Sequence, residues 1–265
     1  NTLTEPGRTY YNDGNGNFDH RDLITDGFDS GVEIILFHSN GDSNLDLALA
    51  YFNSGVKVFL NDGAGLFSDT GQELGGGGTD RGLINGDIDS DGDEDLIVIS
   101  HFSISRTYTN DGTGSFTEKA TLPINGHSGD IADIDGDGDL DLVTITFNGP
   151  VRVFKNDGDG NFEQSVGGSF GNRSGGWDVK FLDFDGDGDK DIIDVRTTVM
   201  NFFSNDGMGN FTKEPTLSLQ KTESGTASLI NITLGDIDGD GDLDLIQTIN
   251  GEGIKVYKSS LESGL

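Results

Sequence analysis

Four nine-residue segments of this sequence place an aspartate at each of positions one, three, five, seven and nine. Position six is glycine in all four, which permits a sharp turn in the backbone. Calcium takes six to eight oxygen ligands from loops of this kind, so that converging carboxylates at this spacing indicate a cation site. The segments are residues 87–95, 133–141, 183–191 and 236–244. They predict four calcium sites.

Each predicted site uses the side chains of positions one, three, five and nine and the backbone carbonyl of position seven. The predicted side-chain ligands are Asp87, Asp89, Asp91 and Asp95; Asp133, Asp135, Asp137 and Asp141; Asp183, Asp185, Asp187 and Asp191; and Asp236, Asp238, Asp240 and Asp244. The predicted carbonyl ligands are those of Asp93, Asp139, Asp189 and Asp242. Magnesium fits less well, because it demands a tighter octahedron. The alternative is a set of solvated acidic turns, but four converging carboxylates repel one another without a cation.

Residues 38–46 are a degenerate copy of the same loop, with His38 at position one and Ser43 in place of the glycine. Two carboxylates remain instead of four or five, so the loop is predicted to bind calcium weakly or not at all. A weak fifth site would use Asn40, Asp42, Asn44 and Asp46.

The net charge of −31 limits the partners of the chain. Of its 47 acidic residues, 22 are aspartates of the five loops, and the 16 Lys and Arg form no cluster. Nucleic acids and anionic membrane surfaces are therefore unfavourable partners. No apolar run approaches the length of about 18 residues that spans a bilayer, so no membrane insertion is expected.

Loops of this type commonly bind calcium at about 10⁻⁴ to 10⁻³ M, which predicts an extracellular protein, secreted or at the cell surface. The sequence contains no Cys, so metal ions rather than disulfides would cross-link and stabilise the fold. It opens Asn-Thr-Leu-Thr without a basic and apolar leader, so the expectation is that a signal peptide has been removed from this numbering.

The loops repeat about every fifty residues, which indicates one supersecondary unit repeated along the chain. A second motif, Asn-Asp-Gly-x-Gly-x-Phe, begins at residues 12, 61, 110, 156 and 205 and predicts a hairpin followed by a packed aromatic. Short β-branched runs lie between the motifs. Each unit therefore reads as strand a, acidic loop, strand b, short turn, strand c, hairpin and strand d. Such units predict an all-β fold, a β-propeller of four-stranded antiparallel blades.

The acidic loop, the Leu-Asp-Leu that follows it and the Asn-Asp-Gly hairpin together resemble the FG-GAP or VCBS repeat family, similar to the propeller of integrin α chains. The resemblance covers nearly the whole sequence. It implies calcium in the loops between strands a and b, and it implies an extracellular protein. Members of the family include adhesion proteins, lectins and some polysaccharide-degrading enzymes, so the resemblance leaves the function open.

Antiparallel order places the acidic loops and the hairpins at one end of the blades, and the b–c turns and d–a connections at the other. The repetitive acidic end is expected to be structural, and the variable end is expected to recognise a ligand. Candidates on the variable end are Tyr51, His101, His127, Arg173, Trp177 and Arg196. Trp177 with Arg173 suits stacking on a sugar, although a lone Trp at the start of a strand more often packs between blades.

The sequence predicts six strands of type c but only five of each other type. One strand c is therefore left over when five four-stranded blades close into a ring. Five blades close if residues 1–26 complete the last blade, with repeats at about 27–75, 76–122, 123–168, 169–219 and 220–265. The surplus strand could add a fifth strand to that blade, stay disordered, or pair with another molecule.

Three functions follow as hypotheses. The favoured one is a calcium-stabilised extracellular binding or adhesion module for a protein or glycan ligand, without catalytic activity. The second is a structural subunit that self-associates by strand donation into a filament or surface layer. The third is a polysaccharide lyase or hydrolase, which would need Tyr51, His101, His127 and Arg196 to cluster.

Overall fold

The β-branched and alternating runs of the sequence form strands in the computed structural model. It describes residues 7–23, 31–51, 54–75, 80–101, 103–170, 175–196, 199–215, 217–218, 229–239, 244–249 and 253–257. Every regular element in these residues is a β-strand. The strands are β1 Gly7–Asn12, β2 Phe18–Leu23, β3 Gly31–Phe37, β4 Asp46–Tyr51, β5 Gly55–Asn61, β6 Phe67–Leu74, β7 Asp80–Gly86, β8 Asp95–Ser100, β9 Ser105–Asn110, β10 Phe116–Leu122, β11 Ser128–Ala132, β12 Asp141–Ile145, β13 Val151–Asn156, β14 Phe162–Phe170, β15 Gly176–Leu182, β16 Asp191–Arg196, β17 Val199–Asn205, β18 Phe211–Lys213, β19 Leu217–Ser218, β20 Leu229–Gly235, β21 Asp244–Ile249 and β22 Gly253–Tyr257.

The strands pair into antiparallel sheets in chain order, and we call each sheet a blade. The first blade is β3 to β6, the second β7 to β10 and the third β11 to β14. The fourth is β15 to β18, with the short β19 also paired to β17, and the fifth is β20 to β22. In every blade the ninth aspartate of the acidic loop begins strand b and pairs with the last residue of strand a. All-β blades of this order confirm the predicted fold class, that of a β-propeller.

The chain divides into two compact units, residues 1–125 and 126–265. The first unit holds the β1–β2 hairpin and two blades, and the second holds the other three blades. Strand b is buried along its whole length in the second, third and fourth blades, because both of its faces are covered. This burial explains why β8 contains the continuous apolar run Leu96–Ile99 instead of an alternating pattern. Each unit has its own core clusters, including one around Val58 and Val98 in the first unit and one around Val153 and Val179 in the second.

Neighbouring blades contact each other through a repeated contact at the hairpins. The residue before the hairpin Asn packs on the second hairpin glycine of the next blade: Leu60 lies against Gly114, and Lys155 against Gly209. The β1–β2 hairpin repeats this contact, since the Tyr11 hydroxyl donates to the Gly65 carbonyl of the first blade. Strands β1 and β2 therefore occupy, relative to the first blade, the position that strands c and d of one blade occupy relative to the next blade. Completion of the fifth blade by residues 1–26 stays a prediction.

The hairpin Asn is a second link between blades. The Asn110 amide donates from Nδ2 to the Ser39 carbonyl of the first blade at 2.8 Å and to the Glu94 carbonyl of its own blade at 3.1 Å. Asn205 does the same to the carbonyls of Ile134 and Lys190, at 2.8 and 3.0 Å. Both asparagines are buried. The hairpin motif thus holds an acidic loop of the preceding blade as well as its own.

We expect Asn110→Ala to lower the free energy of unfolding by about 2–4 kcal/mol, because it leaves two carbonyls without their donor in a buried site. Asn12→Ala is the matched control, since Asn12 occupies the same motif position but is exposed. Urea unfolding followed by circular dichroism measures both variants. Equal losses in the two would show that the link between blades contributes no stability.

Candidate metal centres and the opposite end

Three aspartates converge in each of the four full loops, those at positions one, three and nine. Each triad offers carboxylate oxygens that all lie within 4.8 Å of one another. Ligands about 2.4 Å from one calcium ion can lie at most about 4.8 Å apart, so these oxygens can surround a single ion. The triads are Asp87, Asp89 and Asp95; Asp133, Asp135 and Asp141; Asp183, Asp185 and Asp191; and Asp236, Asp238 and Asp244. The described part of the chain therefore has four clusters that can hold a metal ion.

The ninth aspartate is the buried member of each triad, with at most 1% of its surface exposed. In Asp95, Oδ2 accepts the N–H of Ile88 at position two of the loop at 2.8 Å. Its Oδ1 accepts the N–H of Asn110 in the c–d hairpin at 2.7 Å. Asp46, Asp141 and Asp191 repeat both bonds in their own blades. This residue thus joins the acidic loop to the hairpin, and it keeps lone pairs for a cation.

Burial of a carboxylate without a cation raises its pKa, because burial disfavours the charged form. Desolvation raises the pKa of Asp95, Asp141 and Asp191 to about 6 in each case, against backbone hydrogen bonds that lower it. Burial also raises the pKa of Asp89, with further increases from the charges of Asp91 and Asp87. The triads therefore carry an electrostatic cost that a bound cation would offset.

The other loop positions have structural roles in the fold. At position one, Asp133 accepts the N–H groups of Gly136 and Gly138, at 2.8 and 3.1 Å. At position five, Asp137 is exposed, lies outside the triad, and accepts the N–H of Asp139 at 3.0 Å. Asp91 and Asp187 behave as Asp137 does. Asp240 and Asp242 lie outside the described residues.

The position-seven side chain lies against the hairpin, which leaves its carbonyl as the group available to an ion. A Cβ on Gly112 of the hairpin would lie 2.5 Å from Oδ2 of Asp93. Gly112 also has a φ of +73°. The Asn-Asp-Gly motif consequently needs its glycine for two reasons, the left-handed backbone and the space taken by this carboxylate.

The degenerate first loop is closed by hydrogen bonds. The imidazole Nδ1 of His38, at position one, lies 3.2 Å from the carbonyl of Asn44 at position seven. A carbonyl can only accept, so Nδ1 is the donor in this contact. The Ser39 hydroxyl donates to Asp46 at 2.7 Å, a bond that the full loops lack because position two is Ile or Phe there. The side chain at position one therefore bonds the same carbonyl that a calcium ion would contact.

The residues predicted on the variable end occupy different environments. Tyr51 and Arg196 are buried, with 2% and 1% of their surface exposed, and His101 is half-buried. Arg173 lies outside the described residues. His127 and Trp177 come together: their ring centroids are 5.4 Å apart. The four residues of the catalytic hypothesis thus include two that present almost no surface.

Phe147 and Asp178 are two residues of this region that the sequence did not single out. The Phe147 ring lies 5.6 Å from Trp177, almost perpendicular to it, and 6.3 Å from His127. Asp178 accepts a hydrogen bond from the Ser128 hydroxyl at 2.5 Å. The sequence signal that could have predicted the contact between His127 and Trp177 is their spacing. They are separated by 50 residues, as are Asp141 and Asp191. That equality places both rings at the same point of successive repeats.

A model of the FG-GAP-like repeat matches the chain three times, at residues 40–98, 87–144 and 133–193. Together the matches cover more than half of the 265 residues. The chain belongs to the FG-GAP-like repeat family. No curated protein sequence matches it. The part of the chain that the structure describes contains no helix long and apolar enough to cross a membrane.

Two solved structures are similar to this FG-GAP-like chain. A lectin from Agrocybe aegerita that recognises non-reducing terminal N-acetylglucosamine has a TM-score of 0.62 at 22% identity, over 93% of this chain and 69% of that one. BBS1N, in a complex with ARL6DN, has a TM-score of 0.58 at 12% identity, over 92% of this chain and 67% of that one. At these identities the likeness shows the fold alone.

The raised pKa values of Asp95, Asp141 and Asp191 predict how calcium and pH act together. The ordinary pKa of an aspartate is about 3.9, so the metal-free folded state holds more protons than the unfolded chain between about pH 4 and 6. The stability of the metal-free protein should therefore fall as pH rises through this interval. Calcium needs the ionised form, so its stabilising effect should grow over the same interval.

Differential scanning calorimetry on protein stripped over a chelating resin, with and without saturating calcium, measures this effect. We expect the increase in Tm on adding calcium to be much larger at about pH 8 than at about pH 4.5. Equal increases at the two pH values would contradict the assignment of these aspartates as ion ligands.

Substitutions in the first loop can test whether a fifth calcium site can be created there. Wild-type protein is expected to bind four calcium ions, and His38→Asp combined with Ser43→Gly is expected to bind five, because the changes restore the carboxylate at position one and the turn glycine. Isothermal titration and native mass spectrometry give the stoichiometry. His38→Asn combined with the same glycine is the control, without the added charge. A fifth ion in the wild type would show that the histidine loop binds calcium after all.

Proposed function

We propose that this protein is an extracellular, calcium-stabilised propeller that acts as a binding module for carbohydrate. The observation that carries the proposal is the contrast between the two ends of the blades. At the acidic end the same triad, buried aspartate and hairpin contact recur from blade to blade. At the other end the residues differ in every blade, which is the property of a recognition surface.

Calcium is the metal that we propose for the four triads. The ligands are all oxygen, the loops belong to a repeat family that commonly binds calcium, and the spacing of the oxygens suits an ion of that size. At ten times its Kd each ion would add about 1.4 kcal/mol, so four ions would add about 6 kcal/mol. Millimolar calcium occupies sites of such affinity outside the cell, which supports an extracellular location.

Carbohydrate is the ligand class that we propose, and binding is the role. The Agrocybe aegerita lectin, whose fold this chain shares, recognises a terminal sugar, and the variable end of this chain groups three aromatic rings. Tyr51 and Arg196, two residues of the catalytic alternative, are buried, which supports binding over catalysis. The net charge of −31 favours uncharged or cationic saccharides over acidic ones.

A second candidate, a self-associating structural subunit, is favoured by one observation. Ile254 and Val256 of β22 are 69% and 49% exposed, whereas Val151 and Val153 at the same positions of the third blade are fully buried. A second copy of this chain that covers this face would bury apolar surface and build an assembly.

A glycan array probed in calcium, together with light scattering, tests both candidates. We expect a monomer of 28.1 kDa that binds at least one uncharged or amino-sugar glycan and loses binding when chelator lowers the Tm. Absence of binding to every glycan would reject the carbohydrate proposal. Calcium-dependent assemblies without glycan binding would favour the structural subunit.

A further inference from the structure

We infer that the variable end carries one saccharide site between the third and fourth blades, built from Trp177, Phe147 and His127 with Asp178 and Ser128 at its polar edge. The inference rests on the proposed function and locates it in particular residues. All five residues lie in the second compact unit.

Four of the five residues come as one consecutive pair from each blade. The starts of β11 and β15 lie side by side, so Trp177 contacts His127 while Asp178 contacts Ser128. The pairing of β15 with β16 shifts between Gly176 and Asp178, which leaves Trp177 as the extra residue of a β-bulge. A bulge re-aims a side chain at the end of a strand. The fold thereby places an indole and a carboxylate, adjacent in sequence, against the same neighbouring blade.

The third ring is held rigidly by the backbone around it. Phe147 belongs to the b–c turn of the third blade, and its carbonyl accepts the N–H of Gly176 at 3.0 Å. A Cβ at Gly176 would lie 2.7 Å from the carbonyl oxygen of Thr146, so glycine permits this close approach. The Phe147 ring itself remains 36% exposed.

Buried Arg196 fixes the same turn from the fourth blade. Its Nη1 donates to the carbonyl of Gly149, at 3.2 Å, and its Nε donates to Asp194, at 2.7 Å. Asn201 donates to the same Asp194 oxygen at 2.9 Å, which anchors the pair within the fourth blade. Arg196 is therefore a positioning residue: it holds the turn of Phe147 and does not itself present surface to a ligand.

Polar groups beside the rings suit the hydroxyls of a sugar. Oδ1 of Asp178 is occupied by the Ser128 hydroxyl and by the N–H of Val179, at 2.5 and 2.9 Å. Among the hydrogen bonds formed by the described residues, none uses its Oδ2, and the side chain is half-buried. A fixed carboxylate oxygen of this kind accepts hydrogen bonds from a hydroxyl pair, while the C–H face of a pyranose packs on the rings.

The charge around the rings selects among saccharides. Asp178 follows Trp177 in the sequence and bonds Ser128, the residue after His127. Asp130 of β11 is one of its charged neighbours, and the whole chain is strongly acidic. Lys180 lies 3.9 Å from Asp130 and so offsets only part of this charge. A uronate or sulfated sugar would meet repulsion, whereas a neutral hexose or an amino sugar would not. The site is therefore assigned to an uncharged or amino-sugar pyranose.

Trp177 provides a direct readout, because it is the single tryptophan of the chain. The probes are the methyl glycosides of glucose, galactose, N-acetylglucosamine, glucosamine and glucuronic acid, with choline as a cation of different chemistry. Each is titrated into the calcium-loaded protein while tryptophan emission is followed, and isothermal titration gives the Kd. We expect a saturable change with at least one neutral or amino sugar and none with the glucuronide.

Phe147→Ala tests the site with little risk to folding, because the ring is partly exposed. We expect it to weaken the Kd by about tenfold, the effect of losing one ring of a stacking platform. Asp178→Asn should weaken it by a similar factor through loss of the charge-assisted hydrogen bond. Met208→Ala is the matched control, since Met208 is 69% exposed in the fourth blade but lies in the hairpin at the acidic end.

The outcomes separate this inference from the proposed function. If the wild type binds a glycan on the array with no change in Trp177 emission, and Phe147→Ala binds it equally well, the site lies elsewhere and the inference is wrong while the function stands. If no saccharide binds at all, both are wrong. A response to choline alone would identify a cation site and overturn the assignment to sugars.

Discussion

The structure depends on a carboxylate buried where loop and hairpin meet. In the first four blades the ninth aspartate of the loop accepts N–H groups from position two of the loop and from the hairpin Asn, so one side chain fixes two connections at the end of a blade. Its desolvation is costly while it lacks a cation, as the raised pKa of Asp95 shows. Repetition of this arrangement fixes the end of each of these blades, and a bound cation would offset the cost of the buried charge.

The hairpin asparagines extend this constraint from one blade to the next. Asn110 and Asn205 each reach a carbonyl in the acidic loop of the preceding blade, so a loop that is well ordered also orders its neighbour. The first loop keeps these contacts although it lacks the acidic triad: the Gly41 N–H donates to the Gly112 carbonyl, and His38 bonds within the loop. Hydrogen bonds there connect parts of the loop that a bound cation would connect in the other loops.

The other end of the blades is free of this constraint, and its chemistry changes from blade to blade. The b–c turn of the third blade is held by Gly176 and Arg196, both from the fourth blade, so that an exposed ring sits on a fixed backbone. Rigid support beneath a variable surface is what a binding site needs, because little entropy is lost when a ligand orders it. In the proposed function, the two ends of a blade therefore have separate roles: the acidic end would hold calcium and the variable end would bind the ligand.

The sequence by itself determined the blade, the four acidic loops and the hairpins, because each depends on residues within about twenty positions of one another whose spacing matches a local turn or strand period. It also indicated the weak first loop from His38 and Ser43. The side-chain contacts between blades were determined only by the tertiary structure. Burial of Tyr51 and Arg196 and the contact of Trp177 with Phe147 depend on packing between residues that are distant in sequence. No local pattern records such contacts, since they arise only when one blade packs against the next.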